Sequence, residues 1–282
     1  MIANLLTVAD LPAATIRAAL AESLAVPEET IDVADTEAEQ DHRDWEAPVL
    51  CTYTRLPPGD LCLSLDIWTD DDRTPPLTEP RLARALATTC ATPVLHPSDL
   101  DLPSAYWLAA PDGRTIRCRV EETDLDDEGT TSYRVDALEA PVADLPAARV
   151  GPLPEALDHY PLPTPVTQRF LAAHPNADSA SAEGRTHYAL HVWERLIRRL
   201  ESNDWSPSGR YPEDLYARDL KARDDLAGLM EELDPPSAAN LRADLISLDE
   251  SFKAHTRGND PTAPSAPDDH WWHHRTPNRP PW

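Results

Sequence analysis

The chain has 282 residues, with 25 basic and 50 acidic side chains and a formal net charge of −25. This charge argues against binding to bare nucleic acid or to an anionic membrane, because the phosphates of both would be repelled. No apolar run approaches the roughly 20 residues that span a bilayer, and the first residues lack the basic character of a signal peptide. We therefore predict a cytoplasmic protein without a cofactor.

Residues 1–139 are predicted to form an α+β domain. The clearest strand is Leu61–Trp68, in which leucine or isoleucine fills every second position. Two helices, one after Asp10 and one capped by Thr78, are expected to cover an antiparallel or mixed sheet. The predicted strands are Thr30–Ala34, Val49–Arg55, Leu61–Trp68, Pro93–His96, Ala105–Ala110, Arg114–Glu121 and Ser132–Leu138.

Residues 140–165 are predicted to be a linker, because they contain seven prolines and one glycine. Each proline removes a backbone donor and clashes with the preceding helical turn, so we expect no helix in this stretch. Its proline content predicts a semi-rigid spacer rather than a flexible tether.

Residues 166–257 carry apolar side chains at helical spacing and are predicted to form a small all-α helical bundle. The spacing is clearest at Leu241, Leu245, Leu248 and Phe252, which recur every three or four residues. The predicted helices are Thr167–Ala173, Ser181–Ser202, Pro212–Leu233 and Ser237–Thr256.

Residues 258–282 form a tail that is rich in proline, tryptophan and histidine and has no hydrophobic period. Trp271, Trp272 and Trp282 are costly to expose to water, which favours packing of the tail against the protein's own domains. The same tryptophans would also serve as aromatic anchors for a partner. Both alternatives remain open from the sequence.

Three acidic segments, residues 28–46, 70–72 and 121–128, interrupt the first domain. Residues 28–46 contain nine acids and one base, and residues 121–128 contain six acids and no base. One explanation is solubility, and the other is electrostatic steering towards a basic protein. The residues predicted to contact that partner are Glu37, Glu39, Asp41, Asp44, Asp70, Asp71, Asp72, Asp126 and Asp127, with Trp271, Trp272 and Trp282 of the tail.

His187 and His191 are candidate metal ligands, because they stand four residues apart on one predicted helix. His270, His273 and His274 of the tail would complete such a site. Against this interpretation, the HExxH pattern is missing, and the pair also borders the apolar face of its helix, where polar residues are expected.

Cys90, His96 and Asp99 lie close in sequence and have the residue types of a nucleophile, a base and an orienting acid. Cys90 also fits the inner face of its predicted helix, as a packed apolar residue would. The four cysteines lack CxxC spacing and are predicted to be free thiols. Cys51 and Cys62 are expected to face each other across a predicted turn.

The eight glycines form no phosphate-binding loop, dinucleotide fingerprint or nucleophile elbow. The sequence therefore favours a non-catalytic, acidic protein-binding module, such as an immunity or inhibitor protein that neutralises a basic toxin or nuclease. One alternative is a metal-dependent hydrolase using His187 and His191. Another is an adaptor or assembly component that docks through its aromatic tail.

Overall fold

The structure, a computed structural model, describes residues 1–39, 41, 43–98, 102–124, 131–258 and 270–282. The chain divides into two compact units, Met1–Leu153 and Pro154–Trp282. This division falls inside the proline-dense stretch of residues 140–165. Each unit has its own hydrophobic core.

The first unit is built on a mixed sheet, which confirms the α+β class. In the described residues its nine strands follow the order β2-β3-β4-β1-β5-β6-β7-β8-β9. The β2–β3 and β8–β9 pairs are parallel and the other neighbours are antiparallel. The strands are β1 (Ile2–Thr7), β2 (Ile31–Asp35), β3 (Val49–Arg55), β4 (Leu63–Thr69), β5 (Val94–Pro97), β6 (Ala105–Ala109), β7 (Thr115–Asp124), β8 (Thr131–Leu138) and β9 (Arg149–Val150).

Two helices, α1 (Ala13–Leu24) and α2 (Glu79–Thr89), cover one face of this sheet. α1 begins after Asp10 as predicted, and Pro12 is its N-cap residue. Thr78 occupies the N-cap position of α2 as predicted, but its side chain accepts no capping hydrogen bond from the described residues of the helix. The core between helices and strands includes Leu5, Ile16, Leu20, Leu65, Ile67, Leu82 and Leu86.

The interior strand β1 has no counterpart among the predicted strands. It lies between β4 and β5 and runs antiparallel to both. Ala3 and Leu5 join the core beneath the helices, whereas Ile2 and Asn4 are exposed on the opposite face.

The opposite face of the sheet carries no helix among the described residues of the first unit. Around β6 and β7 it is covered by residues 140–150, whose Val142 and Leu145 share a core with Leu108 and Ile116. Part of the predicted linker is therefore packed onto the sheet. Around β1 and β4 the same face is left exposed.

The second unit is predominantly helical. Its elements are α3 (Pro154–His159), α4 (Pro165–Ala173), α5 (Ala182–Ser202), α6 (Glu213–Leu229), α7 (Pro235–His255) and a short ribbon of β10 (Thr256–Gly258) with β11 (Arg275–Pro277). α5 packs against α4, α6 and α7. At the centre, the rings of Trp193 and Phe252 lie 4.8 Å apart. None of the described helices combines the length and the apolar composition that crossing a bilayer requires.

The helix α3 contradicts the expectation that residues 140–165 contain no helix. Pro154 and Pro165 are the first residues of α3 and α4, and at that position the missing N–H has no helical partner to lose. Prolines also open α7, where the Asp234 side chain accepts a hydrogen bond from the Ser237 N–H at 3.1 Å. In these three helices proline starts the element rather than preventing it.

Candidate functional site

Two acidic loops, one between β2 and β3 and one after β4, meet where β3 begins and β4 ends. The Asp70 N–H donates to the Pro48 carbonyl at 2.9 Å, and Arg73 Nη1 donates to the Glu46 carbonyl at 2.8 Å. These bonds join residues 46–48 of the first loop to residues 70–73 of the second. The two loops carry the predicted residues Glu37, Glu39, Asp41, Asp44, Asp70, Asp71 and Asp72.

The exposed Trp45 lies within the first of these loops, with 59% of its surface accessible. Arg43 fixes its position: the Arg43 guanidinium donates to Asp32 of β2 at 2.7 Å and to Thr52 of β3 at 2.8 Å. The same guanidinium lies 4.6 Å from the centroid of the Trp45 ring. A cation–π contact therefore holds the indole above the edge strands.

An exposed apolar row lies beside these loops, on the helix-free face of the sheet. Ile2 of β1 and Leu50 of β3 both pair with Trp68 of β4. Ile2 is 72% exposed and Trp68 is 42% exposed. We call the seven acids together with Trp45, Trp68 and Ile2 the acidic-aromatic surface. Exposed aromatic residues are enriched in protein-binding surfaces.

The remaining predicted acids, Asp126 and Asp127, lie outside the described residues. Glu121 and Glu122, from the same acidic segment, are exposed near the end of β7.

The described part of the tail, residues 270–282, packs against the second unit. Trp272 is only 3% exposed and belongs to its core. Trp271 lies beside Phe252 of α7, and the Lys253 ammonium lies 4.2 Å from the centroid of the Trp271 ring. Trp282 stays exposed next to Tyr216. Of the three tryptophans predicted to contact a partner, Trp272 is therefore part of the interior.

Two tail histidines meet an aspartate of α6. His270 Nδ1 lies 2.7 Å from Asp224 Oδ1, and His273 Nε2 lies 2.8 Å from Asp224 Oδ2. Trp272 Nε1 also donates to Asp224 Oδ1 at 3.0 Å. Although partial burial opposes the charge of Asp224, the hydrogen bonds from His273 and His270 hold the pKa of its carboxyl below the usual range.

This trio is the one group of three potential metal ligands in the described part of the chain. Its two imidazoles and one carboxylate have the composition of a site for a divalent transition metal. The hydrogen bonds within the trio already give it a structural role, because they tie the tail to α6.

The tail histidines do not complete a site with His187 and His191. Those two rings stack along α5 with centroids 6.3 Å apart, and among the described residues no third ligand joins them. Burial, together with the neighbouring Arg195 charge, lowers the pKa of His191. The metal-binding role of this pair stays a prediction.

Glu194, one turn beyond His191, is fully buried and has a structural role. Its carboxylate accepts hydrogen bonds from the N–H groups of Val166 at 3.0 Å and Thr167 at 2.8 Å. It also accepts from Arg198 Nη2 at 3.0 Å. The carboxylate therefore caps the first turn of α4, where free N–H groups favour a negative charge.

The described cysteines show no sign of activation. All four are free, and burial raises the pKa of the Cys90 thiol and raises the pKa of Cys51 to about 12. His96 is buried in β5, and Asp99 lies outside the described residues. Cys51 pairs with Ile67 in the sheet, so the expectation that it faces Cys62 is wrong.

A cavity of about 620 Å³ opens between α3, α4, α5 and α6 of the second unit. Arg218 lies on its wall and donates to both oxygens of Asp158, at 3.0 and 2.8 Å, and to Asp219. Although burial opposes its charge, the hydrogen bonds to Asp158 and Asp219 raise the pKa of Arg218. Tyr211 donates to the other oxygen of Asp219. The sequence pattern did not indicate this cavity.

Comparison of the chain with models of protein families, with curated proteins and with solved structures finds no match in any of the three.

Proposed function

We propose that this protein is a non-catalytic binding module that captures a basic protein through the acidic-aromatic surface of its first unit. The observation that carries the proposal is the meeting of two acidic loops beside exposed Trp45, Trp68 and Ile2. An immunity or inhibitor protein that neutralises a basic toxin or nuclease is the functional class that fits this chemistry.

The acids and the apolar side chains would contribute differently to binding. Exposed acids attract a basic partner over a distance, so they raise the association rate and make it sensitive to salt. Desolvated aromatic side chains supply most of the binding energy once the partner is in contact. Trp45 and Trp68 are thus expected to slow dissociation.

The cytoplasm is the compartment that we propose for this activity. The four cysteines are all free thiols, and a reducing compartment preserves thiols in that state.

Affinity capture with the immobilised full chain tests the proposal. We expect the chain to recover a basic protein, with an affinity that falls steeply as salt is raised. Trp45→Ala combined with Trp68→Ala should weaken binding of the recovered protein by about tenfold or more, as loss of aromatic anchors does. Ile246→Ala removes a comparably exposed apolar side chain from α7 of the second unit and is the matched control.

A charge series completes the test. Glu37→Gln with Glu39→Gln should slow association. The control is Glu231→Gln with Glu250→Gln, which changes the net charge by the same amount at exposed positions of the second unit. Equal effects of the two pairs would assign the binding to overall charge. Recovery of an acidic partner, or binding that the tryptophan substitutions leave intact, would exclude the proposed surface.

A further inference from the structure

One face of α5 lines the cavity between α3, α4, α5 and α6. Tyr188, His191, Arg195 and Arg199 follow one another at steps of three, four and four residues, so they lie along a single stripe of the helix. The cavity of about 620 Å³ falls within the range of about 300–1,000 Å³ that is typical of small-molecule sites.

Two guanidinium groups on this stripe converge on one backbone carbonyl. Arg195 Nη2 donates to the Leu157 carbonyl at 2.8 Å, and Arg199 Nη2 donates to the same oxygen at 2.9 Å. Arg199 Nη1 donates to the Ser206 carbonyl at 2.6 Å. These neutral acceptors fix the arginines in place without cancelling their charges.

Neither arginine has a carboxylate within 4.0 Å among the described residues, in contrast to Arg218 on the same wall. Arg199 is only 2% exposed. Burial lowers the pKa of both Arg195 and Arg199, and for Arg195 the charge of Arg199 adds to the effect. Holding two like charges together at partial burial is costly unless an anion joins them.

The described acids of the cavity accept no hydrogen bond from either of these arginines, although the charges of these acids offset part of the effect of burial on the pKa of both arginines. Asp158 and Asp219 are both engaged by Arg218, and Asp219 also accepts the hydrogen bond from Tyr211. The wall therefore holds three arginines against two aspartates. This is the reverse of the whole chain, in which acids outnumber bases two to one.

We infer that the cavity binds a small organic anion whose carboxylate or phosphate group is held by Arg195 and Arg199. Guanidinium groups match the planar oxygens of both anions and form strong, charge-assisted hydrogen bonds with them. Tyr188, Val192 and Leu162 line the same cavity and provide apolar contact for the body of the ligand. The site shares no residue with the acidic-aromatic surface, so either proposal can fail alone.

Isothermal titration calorimetry of the full chain at constant ionic strength tests this inference with benzoate, phenyl phosphate, inorganic phosphate and the neutral benzamide. We expect saturable binding of benzoate or phenyl phosphate and none of benzamide. Absence of binding by every anion at millimolar concentration, or equal binding of benzamide, overturns the inference. If inorganic phosphate binds as tightly as phenyl phosphate, the apolar wall contributes nothing and an organic ligand is excluded.

Arg195→Gln tests the residue itself and should weaken binding of the anion by about tenfold or more. Arg185→Gln is the matched control, because Arg185 lies on the same helix in an exposed ion pair with Glu232. Unchanged affinity in a folded Arg195→Gln chain overturns the assignment.

Labelling of the unsubstituted chain with phenylglyoxal gives a second readout that does not depend on the folding of a variant. Phenyl phosphate should slow the modification of Arg195, and benzamide should not. Equal protection by both compounds, or by neither, counts against the site.

Discussion

The exposed acidic loops of the first unit contrast with a buried charge network in the second. In the first unit, acids such as Glu37 and Glu39 stand exposed in loops, without a role in the core. In the second unit, Glu194 and Arg199 are buried, and folding fixes their positions through several hydrogen bonds. Exposed charges contribute little to stability and remain free for a partner, whereas buried ones must be satisfied within the fold.

The largest effect predicted by this comparison is that of Glu194→Ala. Removing the carboxylate leaves the N–H groups of Val166 and Thr167 without their acceptor, while Arg198 keeps its bond to Glu201. We expect a loss of about 3–5 kcal/mol in the free energy of unfolding, as for other broken buried charge networks. Urea unfolding followed by tryptophan fluorescence measures it.

Glu250→Ala removes an exposed carboxylate of α7 and should change stability by less than about 0.5 kcal/mol. Similar losses for Glu194→Ala and Glu250→Ala would show that the contrast between buried and exposed acids is wrong.

An intermediate effect is expected for Asp224→Asn, which weakens the attachment of the tail to α6. Loss of the charge weakens the hydrogen bonds with His270 and His273, and charge-assisted hydrogen bonds are worth about 1.5–3 kcal/mol before exposure to solvent reduces them. Limited proteolysis should therefore cut residues 270–282 faster in the variant. Asp225→Asn, the exposed neighbour on the same helix, should leave the cleavage rate unchanged.

The pH dependence of this attachment has a defined sign. The pKa of Asp224 is lowered in the folded protein. The charge of Asp224 therefore stabilises the attachment of the tail above the unfolded pKa of about 3.9, and this stabilisation is lost as the pH falls through the lower folded pKa. The difference in cleavage rate between the Asp224→Asn chain and the unsubstituted chain should persist at pH 7 and shrink below about pH 4. A difference in cleavage rate that does not change with pH would show that the attachment of the tail does not depend on the charge of Asp224.

The smallest effect on stability is expected for Glu37→Gln with Glu39→Gln. These side chains are exposed and have no role in the core, so the free energy of unfolding should change by less than about 0.5 kcal/mol. A marked loss of stability in thermal unfolding would show that the acidic loop supports the fold and is not reserved for a partner.

The elements that the sequence predicted well are those whose signal is local. Alternation of apolar residues located β3 and β4, and helical spacing located α5 and α7, to within two residues at each end. Burial of one face imposes these periods, so the sequence of each segment is enough to identify it as a strand or a helix.

The errors have physical causes as well. β1 escaped prediction because Leu5 and Leu6 face opposite sides of the sheet and both are buried, which removes the alternation expected of a half-exposed strand. α3 was not predicted because Pro154 was treated as a helix breaker, whereas it is the first residue of the helix.

The candidate sites depend on contacts between distant parts of the chain, which cannot be predicted from the sequence of any single segment. Asp224 meets His270 and His273 only after the tail returns to α6. Arg195 and Arg199 of α5 stand out only because Arg218 pairs with the two aspartates of the cavity, Asp158 and Asp219. Trp68 is exposed because no described helix of the first unit covers its face of the sheet, and the sequence of β4 alone does not show this.

The position of β1 between β4 and β5 has a consequence for how the first unit folds. β1 precedes both of its partners in the chain, and it joins β5 only through Leu6 with Leu95 and Thr7 with Val94. When β1 is synthesised, neither β4 nor β5 exists, so the two halves of the sheet cannot be joined until translation has passed residue 97. Such non-local pairing raises the contact order. The first unit should therefore fold slowly for its size, with closure of the sheet as a late, cooperative step.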